Sequence, residues 1–214
     1  MQIEDQAELE AIAREAAPEV YGKQFETISQ YVDILLTRGL AWGLIGPREP
    51  ERIWSRHILN CAALESLLPQ GIDMIDVGSG AGLPGLPLAI LRPDLTVTLV
   101  ESLERRANFL RLAVEELGLG GCVQVVRGRA EEQKLTADIV TCRAVAPLEK
   151  LLKWTSSYFL PHGSMVALKG ERAESDVKDA ARELERRKLL AEVLTVRAHQ
   201  RTEPTQAVIV RKAR

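Results

Sequence analysis

The sequence predicts an α/β fold: a mostly parallel sheet with helices on both faces, preceded by a helical extension. Three observations carry this. From Ile72 onward short apolar runs alternate with helical stretches, before that point apolar residues recur at helical spacing, and a glycine loop follows the first apolar run directly.

The extension comes first. Leu9, Ile12 and Ala16, then Phe25, Ile28, Val32 and Leu35, fall on helical faces up to about Leu68. The strand candidates that follow are Ile72 to Val77, Val97 to Val100, Val123 to Val126, Ile139 to Cys142 and Met165 to Leu168. Between the second and third, Ser102 reads as an N-cap, Leu103, Phe109, Leu110, Ala113, Val114 and Leu117 as one apolar face, and Gly118 as the stop of a crossover helix. A charged helix over Ala180 to Leu190 precedes two last strands, Glu192 to Val196 and Ala207 to Val210, which can close as an antiparallel hairpin. The whole predicts seven strands with an antiparallel last one.

A length of 214 residues fits one domain, with 1–70 as extension and 71–214 as core. A hydrophobic share of 46% with 27% charged residues is that of a globular protein, and no apolar run approaches the length of a membrane span. Met1 to Glu10 is acidic and polar, unlike a secretory signal, so a cytoplasmic location is expected. Cys61, Cys122 and Cys142 are too scattered for a disulfide framework or a metal site, so no metal is expected. A net charge of −2 supplies no general attraction to nucleic acid, and any such contact must be local.

The most informative stretch is Ile75-Asp76-Val77-Gly78-Ser79-Gly80-Ala81-Gly82-Leu83-Pro84-Gly85, between the first strand and an apolar helix. Alternating glycines let the backbone approach a ligand and present amides to it. Glu101 ends the second strand at 101 − 82 = 19 residues beyond Gly82, close to the spacing of about 20 for an acid that accepts ribose hydroxyls. Glycine loops also occur as plain tight turns, and Gly80 to Gly85 fits a nicotinamide dinucleotide as well. Asp76 weighs for a cationic amino-acid group and against a pyrophosphate, which a carboxylate would repel, so S-adenosylmethionine is the expected cofactor.

Read through to Ile90, this motif resembles that of the RsmG (GidB) family of bacterial small-subunit ribosomal RNA guanine-N7 methyltransferases. Further matching pieces span nearly the whole chain: Arg56-His57-Ile58-Leu59, Glu101-Ser102-Leu103 with Arg105, Arg106, Phe109 and Leu110, Arg129-Ala130-Glu131, Arg143-Ala144 and Leu168-Lys169-Gly170. The resemblance implies a Rossmann-like class I methyltransferase core, and cofactor contacts at Gly78, Leu83, Ala130, Glu131 and Arg143, beside Asp76, Gly80, Gly82 and Glu101. It also implies small-subunit rRNA or the ribosomal particle as partner, and a monomer is expected. Trp42-Gly43 and Asn60 depart from the family's usual Trp-Asn and Asp.

Guanine N7 has an in-plane lone pair and no proton, so methylation there needs no general base. It needs alignment, with an Arg or Lys available to guanine O6. Arg143 and Lys169 are the candidates for that role. Arg48, Arg52 and Arg56 form one basic stripe, with Arg52, Arg56 and His57 as candidate RNA contacts, and Arg186, Arg187 and Lys188 form another. His57 reads equally as a core or capping residue. Cys142, in one run with Ile139 and Val140, reads as a buried strand residue rather than a nucleophile. The alternative function is a small-molecule S-adenosylmethionine-dependent methyltransferase, with the extension as a lid.

Overall fold

The computed structural model describes residues 3–213. The extension begins with helix α1 (Ile3–Tyr21) and helix α2 (Phe25–Ile34), which runs on into a π-helical turn, Leu35–Gly39. A second π-helical turn, Ile53–Ile58, leads into the short helix α3 (Leu59–Ala62). Alanines 13, 16 and 17 are buried on α1, and their small side chains let the helix lie close to that turn. Glu10 reaches across from α1, its carboxylate accepting the backbone N–H groups of Trp54 and Ser55 at 2.9 Å and the Ser55 hydroxyl at 2.8 Å. Amides at the start of a helical turn have no partner within it, and this acid supplies one.

The core follows as β1 (Asp73–Val77), α4 (Gly85–Leu91), β2 (Thr96–Glu101), α5 (Glu104–Glu116), β3 (Val123–Arg127), β4 (Ile139–Arg143), α6 (Leu148–Phe159), β5 (Ser164–Leu168), α7 (Ala173–Asp179), α8 (Ala181–Arg187), β6 (Leu189–Val196) and β7 (Thr205–Lys212). The seven strands stand in the order β3-β2-β1-β4-β5-β7-β6. All pairings among β1 to β5 are parallel, and β7 is antiparallel to both neighbours. The strand order reverses between β1 and β4, where open α/β sheets form a crevice at their carboxyl ends.

Strand alternation divides the interior into two apolar clusters. Met74, Val97 and Leu99 face the extension, α4 and α5, while Ile75, Val100, Val140 and Cys142 face α6, α7 and α8. The first cluster runs without a break from α1 into the sheet.

Two expectations are corrected. Helix α5 starts at Glu104, with neither Ser102 nor any other side chain capping it, and Leu103 is extended and 54% exposed rather than part of the apolar face. The cause is Glu101, whose carboxylate holds the Leu103 N–H at 2.8 Å. At the other end α8 stops at Arg187 because Lys188 turns left-handed (φ 56°), and β6 opens at Leu189, which pairs with Lys212. A helix of charged residues gives way there to a ladder that β7 offers.

Gly163 turns the chain into β5, and a Cβ there would lie 2.4 Å from the Asp138 carbonyl oxygen and 2.9 Å from those of Ala137 and Phe159. Backbone cannot step aside as a side-chain end can. Gly163→Ala is expected to destabilise the fold by about 1–3 kcal/mol, read as a lower urea midpoint with an unchanged slope.

Candidate active site

Strand β1 delivers Asp76 into the interior, where its side chain is fully buried. Its Oδ2 accepts the backbone N–H of Gly85 at 3.1 Å, and its Oδ1 has no partner. Burial pushes this carboxyl up to about 7, against the lowering effect of the Gly85 amide and the Arg143 charge. A Cβ on Gly85 would meet Leu99 at 2.4 Å and Asp76 Oδ2 at 2.8 Å, so only glycine lets α4 sit this close to the sheet.

Between them the loop arches over the strand ends. The Gly82 N–H donates to the Ser79 carbonyl at 2.7 Å, and the Ala81 carbonyl accepts the hydroxyl of Tyr31 from α2 at 2.7 Å. Gly80 is left-handed (φ 58°), and a Cβ there would touch nothing but the Gly78 carbonyl oxygen at 3.8 Å. Its N–H donates to Glu101 Oε2 at 3.0 Å, while Oε1 of the same carboxylate accepts from Leu103. Glu101 is thus fixed by two amides at the tip of β2. Oε1 also accepts the Ser102 hydroxyl at 3.5 Å, and Oε2 keeps a lone pair for a further donor.

The third strand contributes Ala130, buried, with its carbonyl bonded to the Tyr158 hydroxyl of α6, and the exposed Glu131. The fourth contributes Arg143, followed by Ala144 at a left-handed φ of 53°, a strained conformation for a residue with a Cβ. That bend lays Val145 against Gly78, where an added Cβ would come within 2.7 Å. Lys169, after β5, steadies the same bend, donating to the Ala146 carbonyl at 2.9 Å and pairing with Asp176 at 2.8 Å. Its ammonium is committed to protein oxygens.

Arg143 lies under the extension. One terminal N–H donates to the Arg56 carbonyl at 3.1 Å and another to His57 Nδ1 at 2.6 Å. His57 Nε2 is 2.5 Å from Glu49 Oε2. Burial, and then the Arg143 charge, pull this imidazole down to about 4, so at neutral pH the ring is uncharged, with Nδ1 bare and Nε2 protonated. Glu49 also binds Arg52 at 2.6 Å and lies 3.8 Å from Arg56. Burial would raise Glu49, but hydrogen bonds from Arg52 and His57 outweigh it and hold it low.

Of the sequence-predicted residues, Asp76, Gly78, Gly80, Gly82, Leu83, Glu101, Ala130, Glu131 and Arg143 therefore line or support the carboxyl edge of the sheet. Arg52 and His57 face inward, whereas Arg48 and Arg56 stay exposed. Arg186 and Arg187 both bind Glu183 of their own helix. Cys142 is buried, which drives its thiol up to about 12 and leaves it inert as a nucleophile. Sequence reasoning missed Tyr31, Glu49 and Val145, since tyrosine, glutamate and valine far from the loop carry no local signal of contact with it.

The donor set suits a nucleoside bearing a cationic arm. Glu101 has acceptor capacity for hydroxyls, the Gly80 backbone is open to close approach, and Asp76 keeps one oxygen unpaired. A pyrophosphate is poorly served, because the first amide of α4 is already taken by a carboxylate.

The family model described as "GidB: rRNA small subunit methyltransferase G" matches residues 24–206. The chain is 53% identical over 188 residues to the "Ribosomal RNA small subunit methyltransferase G" of Thermobifida fusca, covering 86% of this chain and 79% of that protein. It is 50% identical over 176 residues to the protein of the same name from Mycolicibacterium smegmatis, covering 80% and 74%. Among solved structures it is similar in fold to the B. subtilis M1A22 tRNA methyltransferase TrmK (TM-score 0.57, 15% identity, 74% of this chain and 66% of that one). It is also similar to a precorrin-6y C5,15-methyltransferase from Geobacter metallireducens (TM-score 0.53, 17% identity, 71% and 85%). Among the described residues no helix is long and apolar enough to cross a membrane, and no group of three or more His, Cys, Asp or Glu is placed to hold a metal ion.

The raised carboxyl of Asp76 has a signed consequence. The unfolded chain ionises near the ordinary value of 3.8 and the folded protein only near 7, so this group makes folding less favourable as pH rises between the two. Asp76→Asn lacks the titration. Denaturant unfolding from pH 4 to pH 7.5 is expected to show the parent losing stability relative to this variant; parallel curves would contradict it.

Proposed function

The chain belongs to the rRNA small subunit methyltransferase G family, and from that premise we propose that it transfers a methyl group from S-adenosylmethionine to N7 of a guanine in small-subunit ribosomal RNA. The observation that carries the cofactor part is the pairing of Asp76 with the Gly85 amide beside an unpaired Oδ1, which favours an ammonium over a phosphate.

S-adenosylmethionine, when bound, supplies an electrophilic methyl group on a sulfonium sulfur. We assign the rest to the chain's own residues. Glu101 accepts the ribose hydroxyls, Gly78, Gly80, Gly82 and Leu83 provide backbone at close range, Asp76 faces the amino group, and Ala130 and Glu131 frame the adenine. Arg143, at the tip of β4, orients cofactor and guanine. Lys169 acts by holding the bend after Arg143 in place. No residue is required as a base, because N7 is unprotonated near neutral pH, and no covalent enzyme intermediate is required, which accords with an inert Cys142.

RNA contacts fall to cations left without an internal acid. An open groove of about 650 Å³ is lined by Ala41, Trp42, Glu104, Arg105 and Asn108, where α5 leaves the Glu101 corner. Trp42 is held edge-on against Phe109, and Glu104 is occupied by Arg127 at 3.3 Å. Arg105 is exposed and its guanidinium lies 3.3 Å from where a Cβ on Gly43 would stand. An aromatic ring beside a free guanidinium suits a nucleotide flanking the target, with Arg48 as a further phosphate contact and Arg56, exposed although 3.8 Å from Glu49, as a second.

The deciding experiment is to map N7-methylguanine in small-subunit rRNA from cells with and without the protein. Loss of one such position on deletion, restored by the parent gene and not by Gly80→Ala, is expected; identical maps would refute the assignment. Alanine carries some strain at this left-handed φ and β-branched valine more, so alanine is chosen and its folding is checked by the urea midpoint. For the groove, Arg105→Glu is expected to weaken binding of ribosomal substrate and to flatten its salt dependence, leaving the calorimetric affinity for S-adenosylmethionine unchanged.

A further inference from the structure

The cluster Glu49, His57 and Arg143 joins a short turn of the extension to the end of β4 by hydrogen bonds of 2.5 and 2.6 Å. Two features argue against an incidental contact. His57 is buried, only 7% exposed, so its ring is desolvated with both nitrogens engaged. The donors also run one way: Arg143 can only donate, so Nδ1 must accept, which forces Nε2 to carry the proton, and Glu49 accepts it. An imidazole between a guanidinium and a carboxylate relays orientation without adding a second positive charge beside Arg143.

The geometry fixes Arg143 at both terminal nitrogens, one on the Arg56 carbonyl and one on His57. Nε–H and the second N–H of each terminal nitrogen are left over. In β4 the side chain of Arg143 faces opposite to Cys142, toward the extension, and its charge is felt at Asp76 under the glycine loop. A long, flexible side chain at a strand end would otherwise sample many rotamers, and freezing it beforehand removes that entropic cost from the reacting complex.

We propose that Glu49 and His57 are positioning residues that hold Arg143 in the orientation used for methyl transfer, so that a turn of the extension completes a site whose other residues lie in the sheet domain. The inference rests on the reading of Arg143 as a site residue. Glu49 acts only through His57, and its hydrogen bond to Arg52, with the Arg56 charge 3.8 Å away, keeps its carboxylate in place.

A double-mutant cycle tests this. His57→Ala and Glu49→Ala are each expected to slow single-turnover methylation of small subunits by on the order of ten- to a hundredfold, the effect of losing a hydrogen bond to a charged group. Glu49→Gln, which keeps an acceptor for Nε2–H, should recover most of the rate. In an Arg143→Ala background, adding His57→Ala should change the rate by less than about twofold. A purely structural role predicts losses that multiply and follow the melting temperature, and that result would overturn the proposal. A second measurement is independent of catalysis: the ¹⁵N resonance of His57 Nδ1 should move in Arg143→Ala and that of Nε2 in Glu49→Ala. Unmoved resonances reject the relay, whereas moved resonances in a protein that methylates no ribosomal RNA reject the function and leave the relay standing.

Discussion

The bond from the Gly85 amide to the buried Asp76 carboxylate sets the geometry of everything at the carboxyl edge of the sheet. It brings the start of α4 down onto β1, which is possible only because residue 85 lacks a Cβ. With the helix that close, residues 78–84 have no room to run straight and must arch, and the arch turns the Gly80 amide toward Glu101. The cost is a carboxyl group buried with one oxygen unpaired. Such a group is tolerated where a ligand supplies the missing partner, and nearby Arg143 offsets part of the charge.

The extension does more than cover an apolar face. It reaches the site at two points, through the Tyr31 hydroxyl on the Ala81 carbonyl and through Arg56 and His57 on Arg143. Both contacts are polar, and the first is made inside the continuous apolar cluster that glues the extension to α4 and α5, of which Tyr31 and Ala81 are members. Packing supplies the attachment; hydrogen bonds supply the alignment. Glu10, by satisfying the amides of the Ile53–Ile58 turn, stabilises the segment that carries both Arg56 and His57.

Charge in this protein is distributed by local neutralisation. Glu49 balances Arg52, Glu183 balances Arg186 and Arg187, and Asp176 balances Lys169. Each acid lies within a turn or two of its partner and is passed over by a reading of basic runs alone, so two stripes that read as equivalent differ in fact. The Arg186-Arg187-Lys188 run is largely spent on a helix clamp, while Arg48, Arg56 and the separate Arg105 remain turned to solvent. An overall charge of −2 is compatible with an anionic substrate because of this sorting.

The sequence by itself determined the α/β class, the seven strands, the glycine loop and its acid at Glu101, because each is written in local spacing: period two for strands, helical period for their covers, and a fixed interval between loop and acid. Its errors were also local in origin. Leu103 looked apolar and helical, yet its amide was claimed by Glu101, and Lys188 looked helical, yet β7 offered a better ladder. Only the tertiary structure decided which cations are free, that Lys169 braces a bend, and that His57, with Glu49 behind it, meets Arg143 across 86 residues of chain. Such contacts depend on two surfaces folding face to face, and the energy of a hydrogen bond between distant residues leaves no periodicity in the sequence of either.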